Sequence, residues 1–195
     1  MGRVTGTRIT GGSLRGETVK VLEGRRVRPM RSRVREALFA ILGASVERAQ
    51  VLDLFAGSGA LGAEAISRGA QRVIYVEKDP RVLRILEENR NRLYLTVQTE
   101  VITLDLHQHT PPVSEFDLAL CDPPFPDFRA GDPQKDPWKT IDRVAEHCLR
   151  DGAKVAFEHP KGIEAPPSDV IAWQAPRRYG ETELRIGRRV TAENR

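Results

Sequence analysis

The residues with the clearest chemical character are Asp122-Pro123-Pro124-Phe125, which follow the apolar segment "FDLALC". Neither proline has an N–H, and both have φ held at about −65°, so this turn is stiff. The Asp122 carboxylate and the Pro123 carbonyl are then available as hydrogen-bond acceptors, while Phe125 supplies a flat ring. Two acceptors beside an aromatic ring suit the exocyclic amino group of a stacked base. We therefore interpret these four residues as a candidate catalytic turn.

A glycine-rich turn in "VLDLFAGSGALG" is the second candidate site. Glycines permit positive φ and let a ligand approach the backbone, and doubly wound sheets bind ligands at such turns. Gly57, Gly59 and Gly62 fit the dinucleotide pattern G-x-G-x-x-G, so the glycines alone do not distinguish a nicotinamide dinucleotide from another cofactor. An acidic residue also precedes the turn on the strand itself, which suits a positively charged ligand group better than a pyrophosphate. The predicted cofactor-binding residues of this turn are Asp53, Phe55, Ala56, Gly57, Ser58 and Gly59.

Two further acidic positions follow later strands. Glu77, next to Lys78, lies 18 residues beyond Gly59, near where an acidic residue binds ribose hydroxyls. Nicotinamide dinucleotides and S-adenosylmethionine both need that contact, so Glu77 does not distinguish them. Asp105 ends the third strand, where it can accept from an adenine amino group with Leu106 against the ring.

Strands that alternate with helices would position these residues. Helix-like segments with apolar residues at i, i+3 and i+4 begin near position 60, at Pro80 and at Pro137. The pattern predicts an α/β fold with a doubly wound, mostly parallel, seven-stranded sheet. The last two strands have no helix between them, which predicts an antiparallel hairpin at the edge. The predicted strands cover 51–55, 72–77, 99–105, 116–121, 153–159, 169–174 and 182–187.

The N-terminal segment differs from the rest in charge and pattern. Residues 1–35 carry a net charge of +8, whereas the whole chain carries +4. Such an asymmetry favours a polyanionic partner, most often a nucleic acid. We predict a small β-hairpin extension over 1–30, followed by the main domain over 31–195. The helix "MRSRVREALFAIL" opens that domain, with arginines off its apolar stripe that can face solvent or a ligand. The candidate RNA-binding residues are Arg3, Arg8, Arg15, Arg25, Arg26, Arg28, Arg31 and Arg35.

Several classes of protein are disfavoured by composition. Apolar runs are far shorter than the roughly 20 residues that span a bilayer, and the N-terminus has no apolar core of a secretory signal. Cys121 and Cys148 form no CxxC pair and the four histidines are scattered, so no metal site is predicted. We expect a cytoplasmic protein with reduced cysteines, and a monomer.

Taken together, "DLFAGSGALG", "VEKD", "LD" and "DPPF" resemble the class I S-adenosylmethionine-dependent methyltransferases that modify exocyclic amino groups. The segments "RPMRSRVREALFAIL", "FDLALCDPPF" and "RRYGETEL" narrow the resemblance to the RsmD family, which methylates N2 of one guanine in small-subunit (16S) ribosomal RNA. Met30 stands where that family usually has Thr, and Ser32 stands where an acidic residue is common. Contacts of residues 30–32, and of the polar loop over 126–137, are therefore not carried over.

The resemblance implies roles for the candidate residues. S-adenosylmethionine would bind with its ribose on Glu77, its adenine against Asp105 and Leu106, and its methionine part on the 55–59 turn. Asp122 and the Pro123 carbonyl would accept the two hydrogens of guanine N2, whose lone pair then points at the methyl group. Phe125 would stack on the base. The basic N-terminal segment would bind phosphates of the ribosomal RNA in the small subunit.

Three alternatives remain from the residues. An adenine-N6 methyltransferase acting on DNA or RNA would use an Asp-Pro-Pro turn in the same way. A nicotinamide-dependent oxidoreductase would share the glycine-rich turn, but it has no use for "DPPF" or for the basic N-terminus. A non-catalytic RNA-binding protein would retain the fold without the complete set of site residues.

Overall fold

A central twisted sheet carries the fold. The computed structural model describes residues 3–23, 30–129 and 132–191. Its helices are α1 (Ser32–Leu42), α2 (Ala60–Ser67), α3 (Pro80–Arg92) and α4 (Pro137–Cys148). Its strands are β1 (Arg3–Arg8), β2 (Thr18–Glu23), β3 (Gln50–Leu54), β4 (Arg72–Glu77), β5 (Thr99–Thr103), β6 (Phe116–Cys121), β7 (Leu149–Pro160), β8 (Ile171–Trp173), β9 (Arg177–Tyr179) and β10 (Thr182–Arg189).

The sheet has the order β5-β4-β3-β6-β7-β10-β8 and is parallel from β5 to β7. Strand β10 runs antiparallel to β7 on one side and to β8 on the other. The predicted doubly wound α/β fold is thus confirmed, with one correction among the described residues. The short strand β9 pairs with β10 and makes the sheet eight-stranded. The last two predicted strands, β8 and β10, form the expected antiparallel pair at one edge of the sheet, with β8 outermost.

Two helices begin at the predicted prolines, each behind an aspartate that caps the helix. The Asp79 side chain accepts from the Arg81 N–H before Pro80, and the Asp136 side chain accepts from the Trp138 N–H before Pro137. Both helices therefore start at a fixed point behind their strands. No helix among the described residues is long and apolar enough to cross a membrane.

The β1–β2 hairpin, predicted from sequence, packs onto the α/β unit. Its buried residues Ile9, Val19 and Val21 belong to the apolar cluster that also contains residues of α1, α2 and β4. The Lys20 N–H donates to Asn89 Oδ1 at 2.9 Å, and Asn89 Nδ2 donates onward to the Ser58 carbonyl at 2.9 Å. The hairpin is thereby hydrogen-bonded to the glycine-rich turn through one side chain. The division of the chain at residue 30 stays a prediction.

Arg35 is not a solvent-facing residue of α1, contrary to the prediction. It is buried, and its Nε donates to Glu64 Oε2 at 3.2 Å. Arg68 and Thr10 donate to the same carboxylate. Burial lowers the pKa of Arg35, an effect that Glu64 opposes. Arg35 therefore connects α1 to α2, since α1 packs flat on the sheet and covers more than its apolar stripe, and the residue is withdrawn from the RNA-binding set.

Candidate active site

The predicted site residues meet at the carboxyl ends of β3, β4 and β6, with Asp105 following β5. Strand β3 pairs with β4 on one side and β6 on the other, so the chain order reverses there. Such a switch point is where doubly wound sheets bind ligands. The Asp122 N–H lies 3.5 Å from the Leu54 carbonyl, which puts the candidate catalytic turn beside the glycine-rich turn. The two halves of the predicted site are thus adjacent.

The glycine-rich turn after β3 has a strained backbone. Phe55 has φ of 55°, in the left-handed region that a bulky residue rarely adopts. Gly57 and Gly59 follow with φ of 57° and 82°. A Cβ on Gly62 would lie 2.3 Å from Tyr75 Cε1, so α2 packs against β4 at a distance that requires glycine. The turn therefore presents its backbone rather than side chains to a ligand.

Asp53 lies beneath this turn and is fully buried. Its Oδ2 accepts from the Gly62 N–H at 2.8 Å, whereas its Oδ1 has no hydrogen-bond partner in the described part of the chain. Burial raises the pKa of Asp53 well above its ordinary value; the Gly62 N–H opposes that rise and Glu77 adds to it. An unpaired buried acceptor costs about 1–3 kcal/mol. An added donor, such as the ammonium group of a cofactor or a water that it holds, would remove that cost.

Glu77 and Asp105 border the same crevice. Glu77 Oε2 accepts from the Gly57 N–H at 3.0 Å and Oε1 accepts from the Asp79 N–H at 2.9 Å, so its carboxylate is held in place at the turn. Asp105 Oδ2 accepts from Lys78 Nζ at 2.9 Å. Burial opposes ionisation of Asp105, but the Lys78 ammonium and the His107 N–H outweigh it and lower its pKa. Both acids are thus available as acceptors for ribose and adenine groups.

The burial of Leu106 contradicts its predicted contact with the adenine ring. Its side chain is 2% exposed and packs in the apolar cluster that contains β6 and α4. It therefore presents no face to an adenine ring, because the chain turns its side chain into the core directly after β5. Asp105 and the backbone of this segment remain as the groups that a base can reach.

His107 links the two halves of the site and was not found from the sequence. Its Nε2 lies 3.0 Å from Asp127 Oδ2, and its Nδ1 lies 3.1 Å from Thr140 Oγ1. Its ring is 5.3 Å from the Phe55 ring. The segment after Asp105 is thereby tied to the loop that follows the candidate catalytic turn. A histidine two positions after an acidic strand end was the available signal, but its partners are distant in sequence.

The candidate catalytic turn is held by its prolines and by one backbone hydrogen bond. Pro124 has φ of −57° and ψ of 125°, and a short 3-10 helix covers Phe125–Phe128. The Asp127 N–H donates to the Pro124 carbonyl at 2.9 Å, so that carbonyl belongs to the turn. Phe125 is half-buried and stands edge-on to Phe128, with ring centroids 6.5 Å apart. One part of the Phe125 ring is therefore supported by protein and another is open to a ligand.

Asp122 has a partner that sequence reasoning missed. Its neighbour across the strands is Glu158 of β7, a residue that is 5% exposed, because Cys121 pairs with Phe157 at the end of β6. Burial raises the pKa of Asp122 well above its ordinary value, and Glu158 and then Asp53 raise it further. The Thr182 hydroxyl donates to Glu158 Oε1 at 2.6 Å. The signal in the sequence was an acid inside the otherwise apolar "VAFEH", which is unexpected in a strand buried on both faces.

The predicted RNA-binding arginines divide into three groups. Arg8, Arg15 and Arg31 are exposed. Arg3 belongs to β1, and its side chain is not described. Arg25, Arg26 and Arg28 lie outside the described residues. The exposed three come from the hairpin and from the residue before α1.

A surface depression of about 350 Å³ lies at the opposite end of the sheet, lined by Gln50, Gln71, Arg72, Val97 and Gln98. These residues begin β3 and β4 or precede β5, whereas ligands of such sheets bind at the carboxyl ends. The depression contains none of the acids described above. The site therefore lies at the β3–β6 switch point.

The order of the sheet, the strained glycine turn and the acids after β4 and β5 define a class I S-adenosylmethionine-dependent methyltransferase. Residues 7–188 match the family described as Conserved hypothetical protein 95. The chain therefore belongs to this family, the RsmD family, and the resemblance seen in its motifs is confirmed.

Individual relatives agree with this assignment. The chain is 31% identical to YlbH of Bacillus subtilis over 163 residues, which are 82% of this chain and 85% of that protein. It is 39% identical to ribosomal RNA small subunit methyltransferase D of Haemophilus influenzae over 122 residues, which are 60% of this chain and 63% of that protein. The solved structure of yhhF from Escherichia coli has a TM-score of 0.76 at 28% identity and covers 95% of this chain and 99% of that one.

Proposed function

We propose that this protein transfers a methyl group from S-adenosylmethionine to the exocyclic N2 of a guanine in small-subunit ribosomal RNA. The observation that carries the proposal is the adjacency of the glycine-rich turn and the Asp122–Phe125 turn at the switch point of the sheet. Relatives named ribosomal RNA small subunit methyltransferase D support the substrate class. The choice of guanine N2 follows from the family.

The residues present fit the cofactor. Asp53 Oδ1 lacks a donor under the glycine turn, Glu77 is fixed as a ribose acceptor, and Asp105 remains ionised beside Lys78. When bound, S-adenosylmethionine supplies an electrophilic methyl group on a sulfonium. The acids of this crevice also favour that positive charge, because a cation near several carboxylates is electrostatically stabilised.

The Asp122 turn would hold the amino group that is methylated. Guanine N2 is a poor nucleophile because its lone pair is conjugated with the ring. Acceptance of its hydrogens by Asp122 and the Pro123 carbonyl would let the nitrogen pyramidalise and direct the lone pair at the methyl group. The contribution of the protein is then positioning and preorganised acceptors. The partly exposed ring of Phe125 would stack on the base, which must leave its helix or loop to enter.

The RNA would lie across the exposed arginines of the hairpin and α1. Arg8, Arg15 and Arg31 supply charges for phosphates, which makes binding salt-dependent. Since ribosomal RNA is the substrate, the protein would act in the cytoplasm, and we expect it to act as a monomer.

Nucleoside mass analysis tests the proposal. Ribosomal RNA from cells that lack the protein is methylated in vitro with the purified chain and isotopically labelled S-adenosylmethionine, then digested to nucleosides. We expect label in N2-methylguanosine. Label in N6-methyladenosine instead would support the adenine-N6 alternative and overturn the proposal. An Asp122→Ala variant with full activity would show that the catalytic turn is wrongly assigned.

A further inference from the structure

The Asp122–Glu158 pair lies where two parallel strands end side by side. Strand β6 pairs with β7 in a register that joins Leu120 to Ala156 and Cys121 to Phe157. The next step along both strands brings Asp122 beside Glu158. Because alternate residues of a strand share a face, both carboxyl groups project from the face that carries Leu120 and Ala156. Their electrostatic interaction follows from this register.

Two ionised carboxylates are acceptors only and repel each other, so neighbouring carboxyl groups favour a state with one proton between them and a single negative charge. The Thr182 hydroxyl of β10 donates to Glu158 Oε1 and fixes the outer side of the pair. The ionisable groups that face Asp122 from the packed strands are Asp53 of β3 and Glu158 of β7. Each of them opposes a second negative charge.

We propose that Glu158 is a positioning residue for methyl transfer. It holds the proton that it shares with Asp122, so that Asp122 presents an ionised oxygen to the substrate amino group. The pair then takes up the proton that the amino group releases. The inference rests on the proposed transfer to an exocyclic amino group, and it applies whether the base is guanine or adenine.

The transfer balances as follows. The amino nitrogen gives its lone pair to the methyl carbon, the electrons of the broken C–S bond stay on sulfur, and the nitrogen loses one proton to the pair. The pair changes from one negative charge to none while the sulfonium loses its positive charge. The net charge of the enclosed site is therefore the same before and after transfer, which avoids the large cost of creating an unpaired charge in a poorly solvated place. Product release returns the proton to water.

Carboxyl titration in the ligand-free protein tests the pair directly. Carbon-13 NMR of the side-chain carboxyls of Asp122 and Glu158 should show that they titrate together, in two steps. In Glu158→Gln, which keeps the size of the side chain, Asp122 should titrate in a single step at lower pH than the second step of the pair, because the repulsion from Glu158 is gone. The reciprocal variant Asp122→Asn should likewise lower the pH at which Glu158 titrates.

Glu183→Gln is the matched control. Glu183 is equally buried and lies on β10, but it pairs with Arg178 at 2.9 Å and stands opposite His159, on the other face of the sheet from Glu158. It should leave the titration of Asp122 unchanged. An Asp122 titration that is the same in Glu158→Gln as in the unaltered protein would overturn the proposal. This measurement needs no substrate, so its result does not depend on whether the proposed function is correct.

Kinetics provide the second readout. In Glu158→Gln we expect the single-turnover rate at neutral pH to fall at least about tenfold, with the affinity for S-adenosylhomocysteine unchanged within about twofold. In Glu158→Gln the pH–rate profile should lose the step at which the pair gives up its shared proton, together with the second titration step. A variant that loses rate with an unchanged shape of the pH–rate profile would have only a structural defect, and the proton-holding role of Glu158 would be rejected.

Discussion

Glu64 is buried and Asp122 is half-buried, and their surroundings move their pKa values in opposite directions. Burial opposes ionisation of Glu64, but Thr10, Arg68 and Arg35 outweigh it and lower its pKa. Burial raises the pKa of Asp122, and its acidic neighbour Glu158 raises it further. The first acid is compensated by cations and connects α2 to the hairpin and α1. The second is held beside another acid at a strand end, which is the arrangement found at sites of proton chemistry.

The groups that contact a buried acid thus indicate whether the acid stabilises the fold or is available to a ligand. An acid that is fully paired with cations serves the fold. An acid whose ionised form is disfavoured by its surroundings lowers the stability of the ligand-free protein, and a bound ligand that donates to it can remove this cost. Five measurements test this distinction and the proposed site.

Removal of Asp122 should have the largest effect. In Asp122→Ala we expect the single-turnover rate of methyl transfer to fall by about 10²–10⁴-fold, because the acceptor for the amino hydrogens and for the released proton is lost. Binding of S-adenosylhomocysteine, measured by calorimetry, should change little. A rate within threefold of the unaltered protein would remove Asp122 from the mechanism.

Removal of the Glu64 carboxylate should mainly affect stability. Glu64→Gln leaves Arg35 buried without its counter-ion, and breaking such a pair costs about 3–5 kcal/mol in the free energy of unfolding. Urea unfolding measures this loss. Glu88→Gln is the control, because Glu88 pairs with Lys20 on the surface and exposed pairs contribute about 0–1 kcal/mol. Equal losses in the two variants would contradict the structural role of Glu64.

Replacement of Phe125 should weaken binding of the target base. Base stacking on an aromatic ring contributes about 1–3 kcal/mol, so Phe125→Ala should raise the KM for RNA by about 5- to 150-fold. Phe125→Tyr keeps the ring and should retain most of the affinity. Loss of S-adenosylhomocysteine binding in Phe125→Ala would instead mean that the ring supports the cofactor half.

The exposed arginines should act on the salt dependence of RNA binding. In the double variant Arg8→Gln/Arg15→Gln, the slope of log K against log salt should decrease in magnitude by about 1.4–1.8, since each lost phosphate contact removes about 0.7–0.9. Fluorescence anisotropy at several salt concentrations measures the slope. Arg35→Gln should lower stability and leave the slope of the folded protein unchanged, because Arg35 is buried.

The smallest effect concerns how stability depends on pH. The pKa of Glu64 is lowered from its ordinary 4.5, so its contribution to stability is present above that pH and is lost as the pH falls through the folded-state value. Asp122 has the opposite sign: its pKa is raised above 3.8, so its ionisation lowers stability as the pH rises above that value. Asp122→Asn should therefore gain stability relative to the unaltered protein at neutral pH, and the gain should vanish at acidic pH. A gain that persists below pH 3.8 would have another cause.

Much of the fold could be predicted because its signals are local. The prolines at positions 80 and 137, each behind an aspartate, mark helix starts through backbone geometry alone. The strands at 72–77 and 116–121 have the bounds that their apolar runs predicted. Strand β9 was missed because three residues carry too little pattern.

The site residues likewise divide into those that local sequence predicted and those that it did not. The glycine turn and the Asp-Pro-Pro-Phe turn were predicted because they combine several unusual residues in a short stretch. The burial of Leu106 and Arg35 was not predicted. Periodicity predicts which face of a helix is apolar, but it does not predict how much of a helix or loop a neighbouring element covers. Glu158 and His107 act through partners that are 36 and 20 residues away, respectively, in the chain.

The class of fold, the family and the two candidate turns could be predicted from the sequence, since these depend on residue types at short spacing. The folded chain shows which acids lie side by side, which arginine is buried and which arginines are exposed. The physical reason is that a charge takes its properties from its surroundings. Desolvation and neighbouring charges set a pKa, and both come from strands and helices that the chain brings together only when it folds.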